Sequence, residues 1–118
     1  MRNFKNYEVW KKSHELVLLI YRNILPYLPD DEKYGISNQL RRAAYSIPLN
    51  IAEGCGRSSD KDFSHFLDMA LGSAHEVEYC SILISDLEFL SEERCKALII
   101  RISEVKAMLI GLIKSIKK

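Results

Sequence analysis

Apolar residues recur every three or four positions along four stretches of the chain, which is the spacing of one face of an α-helix. The first stretch runs from Val9 to Ile24 and is expected to end near Leu25-Pro26, because proline disfavours helix in the residue before it. Prolines, aspartates and a glycine then predict a connection over residues 26–35. The pattern as a whole predicts an all-α protein.

The ends of the other helices carry their own signals. The second helix is expected to begin near Ser37 as a cap and to stop at residues 54–56, where glycine readily takes the left-handed conformation. Ser58 or Ser59 is the expected cap of the third helix, and Ser91 that of the fourth. The turn before Ser91 is very short, so the third and fourth helices are predicted to be antiparallel neighbours.

The third and fourth helices have more apolar residues than one buried face requires. Beside its core face, the third helix carries a second stripe that includes Met69 and Leu87, and the fourth carries Ile100 and Ile110 beyond its own. A monomer would expose this surface, so we expect the chain to associate with itself. The small residues at 43–44 and 72–74 are expected where helices approach closely.

A row of polar residues, here called the polar seam, flanks the apolar face of the second helix. It consists of Gln39, Arg42, Ser46, Asn50 and Glu53, which fall within one arc of the helix. Glu76 of the third helix is added as the expected partner of Arg42. The seam is either a half-solvated flank or a buried or interfacial hydrogen-bond network.

Pro48 lies within this same helix, where it removes a backbone donor and crowds the carbonyl of Ala44. A kink or break is expected there. Ser46 and Asn50 are near enough for their side chains to satisfy the groups that Pro48 leaves free.

Composition and charge place the chain among ordinary globular proteins. Its 118 residues suit a single domain over residues 1–118, and the formal net charge is only +1. The charge is unevenly spread, because residues 59–90 are strongly acidic whereas residues 91–118 are basic. Neighbouring antiparallel helices of opposite charge are expected to attract along their exposed edges.

The cysteines and the start of the chain predict a cytoplasmic protein. Three cysteines without a CxxC pair argue against a disulfide framework. The first residues are charged and polar, unlike a signal peptide, and no apolar run is long enough for a membrane span.

Catalytic and cofactor motifs are not found in the sequence. The pair Asp62 and His65 has ligand spacing but no second pair, and no nucleophile elbow occurs. The stretch from Gly54 to Ser59 lacks the lysine and the preceding strand of a P-loop, although an anion could bind there weakly. We therefore expect no enzyme activity, no cofactor and no metal site.

One long motif resembles a known family. It comprises Arg41-Arg42-Ala43-Ala44, Ser46-Ile47-Pro48, Asn50-Ile51-Ala52-Glu53-Gly54 and Arg57-Ser58-Ser59, followed by Phe63, Phe66, Leu67, Ala70, Gly72-Ser73-Ala74 and Glu76, with Tyr7, Val9, Trp10 and Lys11 near the start. This pattern is similar to the four-helix-bundle proteins encoded in intervening sequences of bacterial 23S ribosomal RNA genes. The resemblance implies a left-handed, antiparallel up-down-up-down bundle that assembles into a ring-like homopentamer. It also implies kinship with the accessory protein of diversity-generating retroelements, which binds nucleic acid and a reverse transcriptase.

Two functions follow as alternatives. In the first, an oligomer multiplies basic residues around a ring and binds RNA or DNA. In the second, the oligomer is a scaffold that docks another protein and makes no direct contact with nucleic acid. The candidate nucleic-acid contacts are Arg2, Lys5, Lys11, Lys12, Arg41, Arg57, Lys114, Lys117 and Lys118. The basic tail is also consistent with a solvated helix end.

Overall fold

The computed structural model describes residues 2–117, and within them every regular element is helical. Four long helices make up the chain: α1 (Glu8–Leu19), α2 (Ile36–Cys55), α3 (Asp60–Asp86) and α4 (Glu92–Ile116). A 3-10 turn at Phe4–Asn6 precedes α1. Each long helix packs chiefly against two neighbours, α2 and α4 against α1 and α3, so the protein is a four-helix bundle.

Side-chain contacts show that α3 and α4 run in opposite directions. Glu78 of α3 pairs with Lys106 of α4, whereas Asp68, earlier in α3, pairs with Lys117, later in α4. These pairs also confirm that the acidic third helix and the basic fourth helix attract each other.

The first helical stretch continues past α1 through a wider π-helical segment, Ile20–Ile24. A 3-10 turn at Leu25–Tyr27 follows, so the predicted end near Leu25 is confirmed. The π segment itself was not predicted, because apolar spacing does not distinguish it from α-helix. A second 3-10 turn, Asp30–Glu32, completes the connection to α2.

The predicted serine caps of α3 and α4 are confirmed, and so is the end of α2 at residues 54–56. The predicted Ser37 cap and the predicted left-handed glycine of α2 are wrong. The hydroxyls of Ser59 and Ser91 accept hydrogen bonds from the backbone of Asp62 and Arg94. At the start of α2, the Glu32 carboxylate accepts the Ile36 N–H at 3.3 Å, and Ser37 lies inside the helix.

At the end of α2, Gly56 has a φ of −80° rather than a positive value. Among residues 2–117 a positive φ occurs at Glu88, after α3, with a value of 57°. Pro48 does not break α2, which runs through it without interruption.

The core is a continuous set of aliphatic side chains with one large aromatic residue. The largest fully buried side chains are Leu16, Ile20, Ile24, Leu40, Ile47, Ile51, Phe63, Leu67, Ile84, Leu98, Ile102 and Leu109. Helical spacing places Tyr21 and Ile99 on the predicted core faces of the first and fourth helices, but both side chains are exposed. Gly72 is also exposed, and a Cβ built on it would meet no atom within 4 Å, so the expectation of close packing there is wrong.

Candidate nucleic-acid interface

The centre of the polar seam joins α2 to α3 through hydroxyl groups. The Oγ atoms of Ser46 and Ser73 lie 2.8 Å apart. The side-chain amide of Asn50 donates to the Ser46 carbonyl at 2.9 Å and to the Ser46 Oγ at 3.0 Å. All three residues are half-buried, so the middle of the seam is a satisfied hydrogen-bond network.

This network differs from the expected repair of Pro48. The carbonyl that loses its helical donor at Pro48 belongs to Ala44, four residues earlier. The Asn50 amide instead bonds Ser46, four residues before itself. The seam therefore ties two helices together and does not replace the donor that Pro48 lacks.

The ends of the seam are exposed in the single chain. Gln39, Arg42, Glu53 and Glu76 all face solvent. Arg42 and Glu76 line one surface depression of about 350 Å³, but they form no ion pair with each other or with another residue in the range 2–117. The predicted Arg42–Glu76 pair is therefore wrong, because two solvated side chains gain little from pairing.

Several of the candidate basic contacts gather at one end of the bundle, where the start of the chain, the α2–α3 turn and the last turn of α4 meet. We call this the basic end. It carries Arg2, Lys5, Arg57, Lys61, Lys114 and Lys117. Arg2 forms an ion pair with Asp60, and Lys117 pairs with Asp68 at 3.6 Å. Lys118 lies outside the described residues.

The other three candidates lie elsewhere. Lys11 pairs with Glu8 on the first turn of α1, and Lys12 reaches Glu104 of α4 at 3.7 Å. Arg41 lies towards the opposite end, where its guanidinium donates to the Asn38 side chain.

That opposite end is acidic. Carboxylates of the α1–α2 connection and of the α3–α4 turn lie there, and we call it the acidic end. These are Asp30, Asp31, Glu32, Asp86, Glu88, Glu92 and Glu93. Charges of the opposite sign are present at both ends: Arg22, Lys33, Arg41, Arg94 and Lys96 lie towards the acidic end, and Glu53, Asp60, Asp62 and Asp68 towards the basic end. The nearly neutral chain is therefore only modestly polarised along its long axis.

Two arginines of the basic end are held by aromatic rings. The Arg2 guanidinium lies over the Phe63 ring at 4.3 Å from its centre and donates to the Arg57 carbonyl at 3.0 Å. The Arg57 guanidinium lies over the Phe66 ring at 4.7 Å. Together with Gly56 and Ser58, the two arginines line a depression of about 580 Å³, here called the arginine depression.

Sequence reasoning nominated both arginines but missed this arrangement. The contact between Arg2 and Asp60 spans 58 positions, so no local spacing indicates it. The Arg57–Phe66 contact crosses the turn between two helices, and the only signal was an arginine just before a phenylalanine-containing helix start.

Exposed apolar side chains lie on two adjacent sides of the bundle, and α3 borders both. The α2–α3 side carries Tyr45, Leu49 and Met69, and the α3–α4 side carries Ile82, Ile99 and Ile110. Each residue is more than a third exposed. The excess apolar surface expected from the sequence is therefore present on the chain.

Chemically reactive groups are few in the described part of the chain. Cys55, Cys80 and Cys95 are buried and free, and burial raises the pKa of the Cys55 and Cys80 thiols. Residues 2–117 contain no cluster of three His, Cys, Asp or Glu side chains arranged to hold a metal ion. Over the same residues, none of the helices combines the length and apolar content that crossing a bilayer requires.

These features define a class: a four-helix bundle with two apolar sides, a polar network between α2 and α3, and opposite charges at its two ends. The model of the 23S rRNA-intervening sequence protein family matches residues 5–111. The chain therefore belongs to that family, and the sequence-based identification is confirmed.

A solved structure agrees with this assignment. It is a protein of unknown function from the S23 ribosomal protein family of Bacteroides thetaiotaomicron, 32% identical in sequence, with a TM-score of 0.83. The match covers 90% of the present chain and 98% of the other. None of the curated proteins matches the chain.

Proposed function

We propose that this protein is a non-enzymatic, cytoplasmic homo-oligomer that binds nucleic acid through its basic end. The observation that carries the proposal is the group of cations at the basic end, where Lys5, Arg57 and Lys114 form no ion pair with a carboxylate within residues 2–117. Clustered cations attract the phosphate backbone even when the net charge of the chain is close to zero.

The apolar sides support self-association. Two different sides of the bundle expose apolar residues, so one side of a copy would meet the other side of the next copy. Such head-to-tail contacts close into a ring when each step turns by a constant angle. The two apolar sides are adjacent rather than opposite, so each contact turns the next copy relative to the last. The family resemblance indicates five subunits.

A ring would also concentrate the charge. Subunits related by a rotation axis along the helices have all their basic ends on one face of the ring. A weak site on one subunit is then repeated around the ring, which raises the overall affinity for a long polymer. The family description, which refers to 23S rRNA, makes RNA the first polymer to test.

The proposal is tested by measuring mass by light scattering and then RNA and DNA binding across a salt series. We expect a pentamer whose affinity falls steeply with salt, as phosphate contacts require. Replacing Lys5 and Lys114 by glutamate should weaken binding, whereas the same change at Lys33 and Lys96, towards the acidic end, should not. An oligomer that binds neither polymer at low salt would overturn the nucleic-acid part.

Self-association is tested separately by Leu49→Glu, which places a charge on the α2–α3 side. We expect this variant to have a lower mass than the wild-type protein. Tyr34→Glu is the matched control, because Tyr34 is 87% exposed and lies in the α1–α2 connection, away from both apolar sides. A wild-type protein that is monomeric would contradict the ring.

A protein scaffold is the second candidate, and the acidic end favours it. Tyr21, Tyr27 and Tyr34 are exposed towards that end. The rings of Tyr27 and Tyr34 already contact Arg94 and Lys33, which shows that cations pack on this surface, and the nearby carboxylates Asp30 and Asp31 could attract further cations of a partner. Capture of a basic protein, lost when Asp30 and Asp31 are changed to asparagine, would support this function over nucleic-acid binding.

A further inference from the structure

We propose that the arginine depression is a site for one phosphodiester group, with Arg57 as its principal ligand-binding side chain. This inference rests on the proposed function, since it names the chemical group that the basic end would contact. It adds a defined pair of guanidinium groups, where the charge distribution alone indicates only a positive field.

The Arg57 side chain has no polar partner among residues 2–117, and an aromatic ring holds it in place. Its guanidinium makes neither an ion pair nor a hydrogen bond with a side chain or carbonyl in the range 2–117. The Arg57 guanidinium lies over the Phe66 ring, 4.7 Å from its centre, and the residue is exposed. An arginine stacked in this way loses little conformational freedom on binding, and its planar fork matches two phosphate oxygens.

Arg2 supplies the second guanidinium. Its Nη1 group donates to the Arg57 carbonyl at 3.0 Å, which fixes its position beside Arg57. Its Nη2 group pairs with Asp60, and its guanidinium carbon lies 4.3 Å from the centre of the Phe63 ring. Two of its N–H groups are used in these contacts, and the remaining donors of the guanidinium are available to a ligand.

The charge of the site indicates the kind of phosphate. The lining residues, Arg2, Gly56, Arg57 and Ser58, include no carboxylate, but Asp60 compensates Arg2 from its other side. One cation, Arg57, therefore remains uncompensated. A single positive charge matches the single negative charge of a phosphodiester better than the nearly doubly charged phosphate monoester.

The first experiment uses dimethyl phosphate and inorganic phosphate as probes and records backbone and arginine Nε signals by NMR. We expect dimethyl phosphate to shift the signals of Gly56, Arg57 and Ser58 in a saturable way. In Asp60→Asn, which releases Arg2 from its partner, inorganic phosphate should bind more tightly than in the wild type. Absence of shifts at these residues with either probe would overturn the inference.

The second experiment measures oligonucleotide binding of the full protein. Arg57→Ala should lower the affinity for the oligonucleotide about tenfold. The slope of the logarithm of the binding constant against the logarithm of the salt concentration should fall by about one. Lys114→Ala, which removes one charge from the same end, should have a smaller effect. Equal losses would indicate a diffuse field and contradict the site.

Arg57→Lys separates charge from geometry. It should keep the salt dependence but bind more weakly than the wild type, because lysine lacks the planar fork and the stacked face. Full affinity in Arg57→Lys would contradict the role assigned to the guanidinium. If the wild-type protein binds no oligonucleotide, the proposed function fails, and the dimethyl phosphate titration still decides whether the site exists.

Discussion

The hydroxyl groups of Ser46 on α2 and Ser73 on α3 lie 2.8 Å apart, at the middle of the interface between these helices. Asn50 adds a second partner to Ser46, so removing either serine leaves a half-buried polar group with one bond fewer. The pair therefore favours one register of α3 against α2, because any shift would leave these half-buried groups without their partners.

A double-mutant cycle measures this relationship. Ser46→Ala should lower the free energy of unfolding by about 1 kcal/mol, because it removes a partner from both Ser73 and Asn50. Ser73→Ala should cost less, since Ser46 keeps its bond to Asn50. The double variant should lose less than the sum of the two. Ser103→Ala, at an exposed position of α4, is the control, and additive losses in the urea denaturation would show that the serines do not interact.

Gly54 is the point of close approach between α2 and α3. A Cβ built on it would lie 2.8 Å from Phe66 Cβ and 3.0 Å from Phe63 Cδ1. Alanine favours helix by about 1 kcal/mol, but overpacking a buried contact costs about 1–3 kcal/mol. We expect Gly54→Ala to lower the thermal midpoint and to displace the two rings that hold Arg2 and Arg57.

Gly72→Ala is the control for Gly54→Ala, because it makes the same substitution at a helical position without close neighbours. Gly72 is an exposed residue within α3, and a Cβ added to it would have no atom within 4 Å. The same substitution should therefore raise the free energy of unfolding by about 0.5–1 kcal/mol. Stabilisation by both substitutions would show that the α2–α3 contact adjusts easily at Gly54.

The sequence predicted the fold well because the fold depends on repeated, local signals. Spacing and residue type alone indicate the four apolar faces, the caps Ser59 and Ser91, and the end of the first helical stretch near Pro26. The errors arose where several local solutions compete. Glu32 from the preceding turn caps α2 in place of Ser37. Gly56 ends α2 with a negative φ, and the left-handed residue Glu88 follows α3 instead.

The candidate site was less predictable, because its contacts are long-range. The seam residues were found by helical spacing, but the partner of Ser46 depends on the register of α3 against α2, which spacing within one helix does not contain. The contact of Arg2 with the Phe63 ring could not be predicted for the same reason, because the two residues are far apart in sequence. Among the glycines, the sequence pointed to Gly72 for close packing, whereas Gly54 has that role.

Glu88 closes α3 in a conformation that suits glycine. Its φ is 57°, its N–H bonds the Ser85 carbonyl at 3.1 Å, and the Phe89 N–H reaches the Ile84 carbonyl at 3.1 Å. These two bonds form a Schellman motif, whose left-handed residue costs an L-amino acid about 1 kcal/mol or more.

Glu88→Gly should therefore raise the free energy of unfolding by up to about 1 kcal/mol, as measured by urea denaturation. The control is Glu93→Gly, in the first turn of α4, which should be destabilising by about the same amount. A loss of stability in Glu88→Gly would mean that the glutamate side chain contributes more than its backbone conformation costs.

The buried thiols should make stability depend on pH in the alkaline range. Burial raises the pKa of Cys55 against the opposing effect of Arg2, and burial together with the Glu76 charge raises that of Cys80. The folded chain then keeps thiol protons that the unfolded chain releases. The free energy of unfolding should consequently fall as pH rises through the ordinary thiol pKa of about 8.5.

This prediction is checked by urea denaturation at about pH 7 and about pH 9.5 under reducing conditions. The reference is the Cys55→Ala, Cys80→Ala variant, in which lysines and tyrosines still titrate but these two thiols do not. The wild type should lose more stability between the two pH values than the reference does. The variant's lower stability at both pH values does not affect the comparison, because only the change with pH reports the thiols. Equal changes with pH in the two proteins would show that the Cys55 and Cys80 thiols ionise as easily in the folded chain as in the unfolded one.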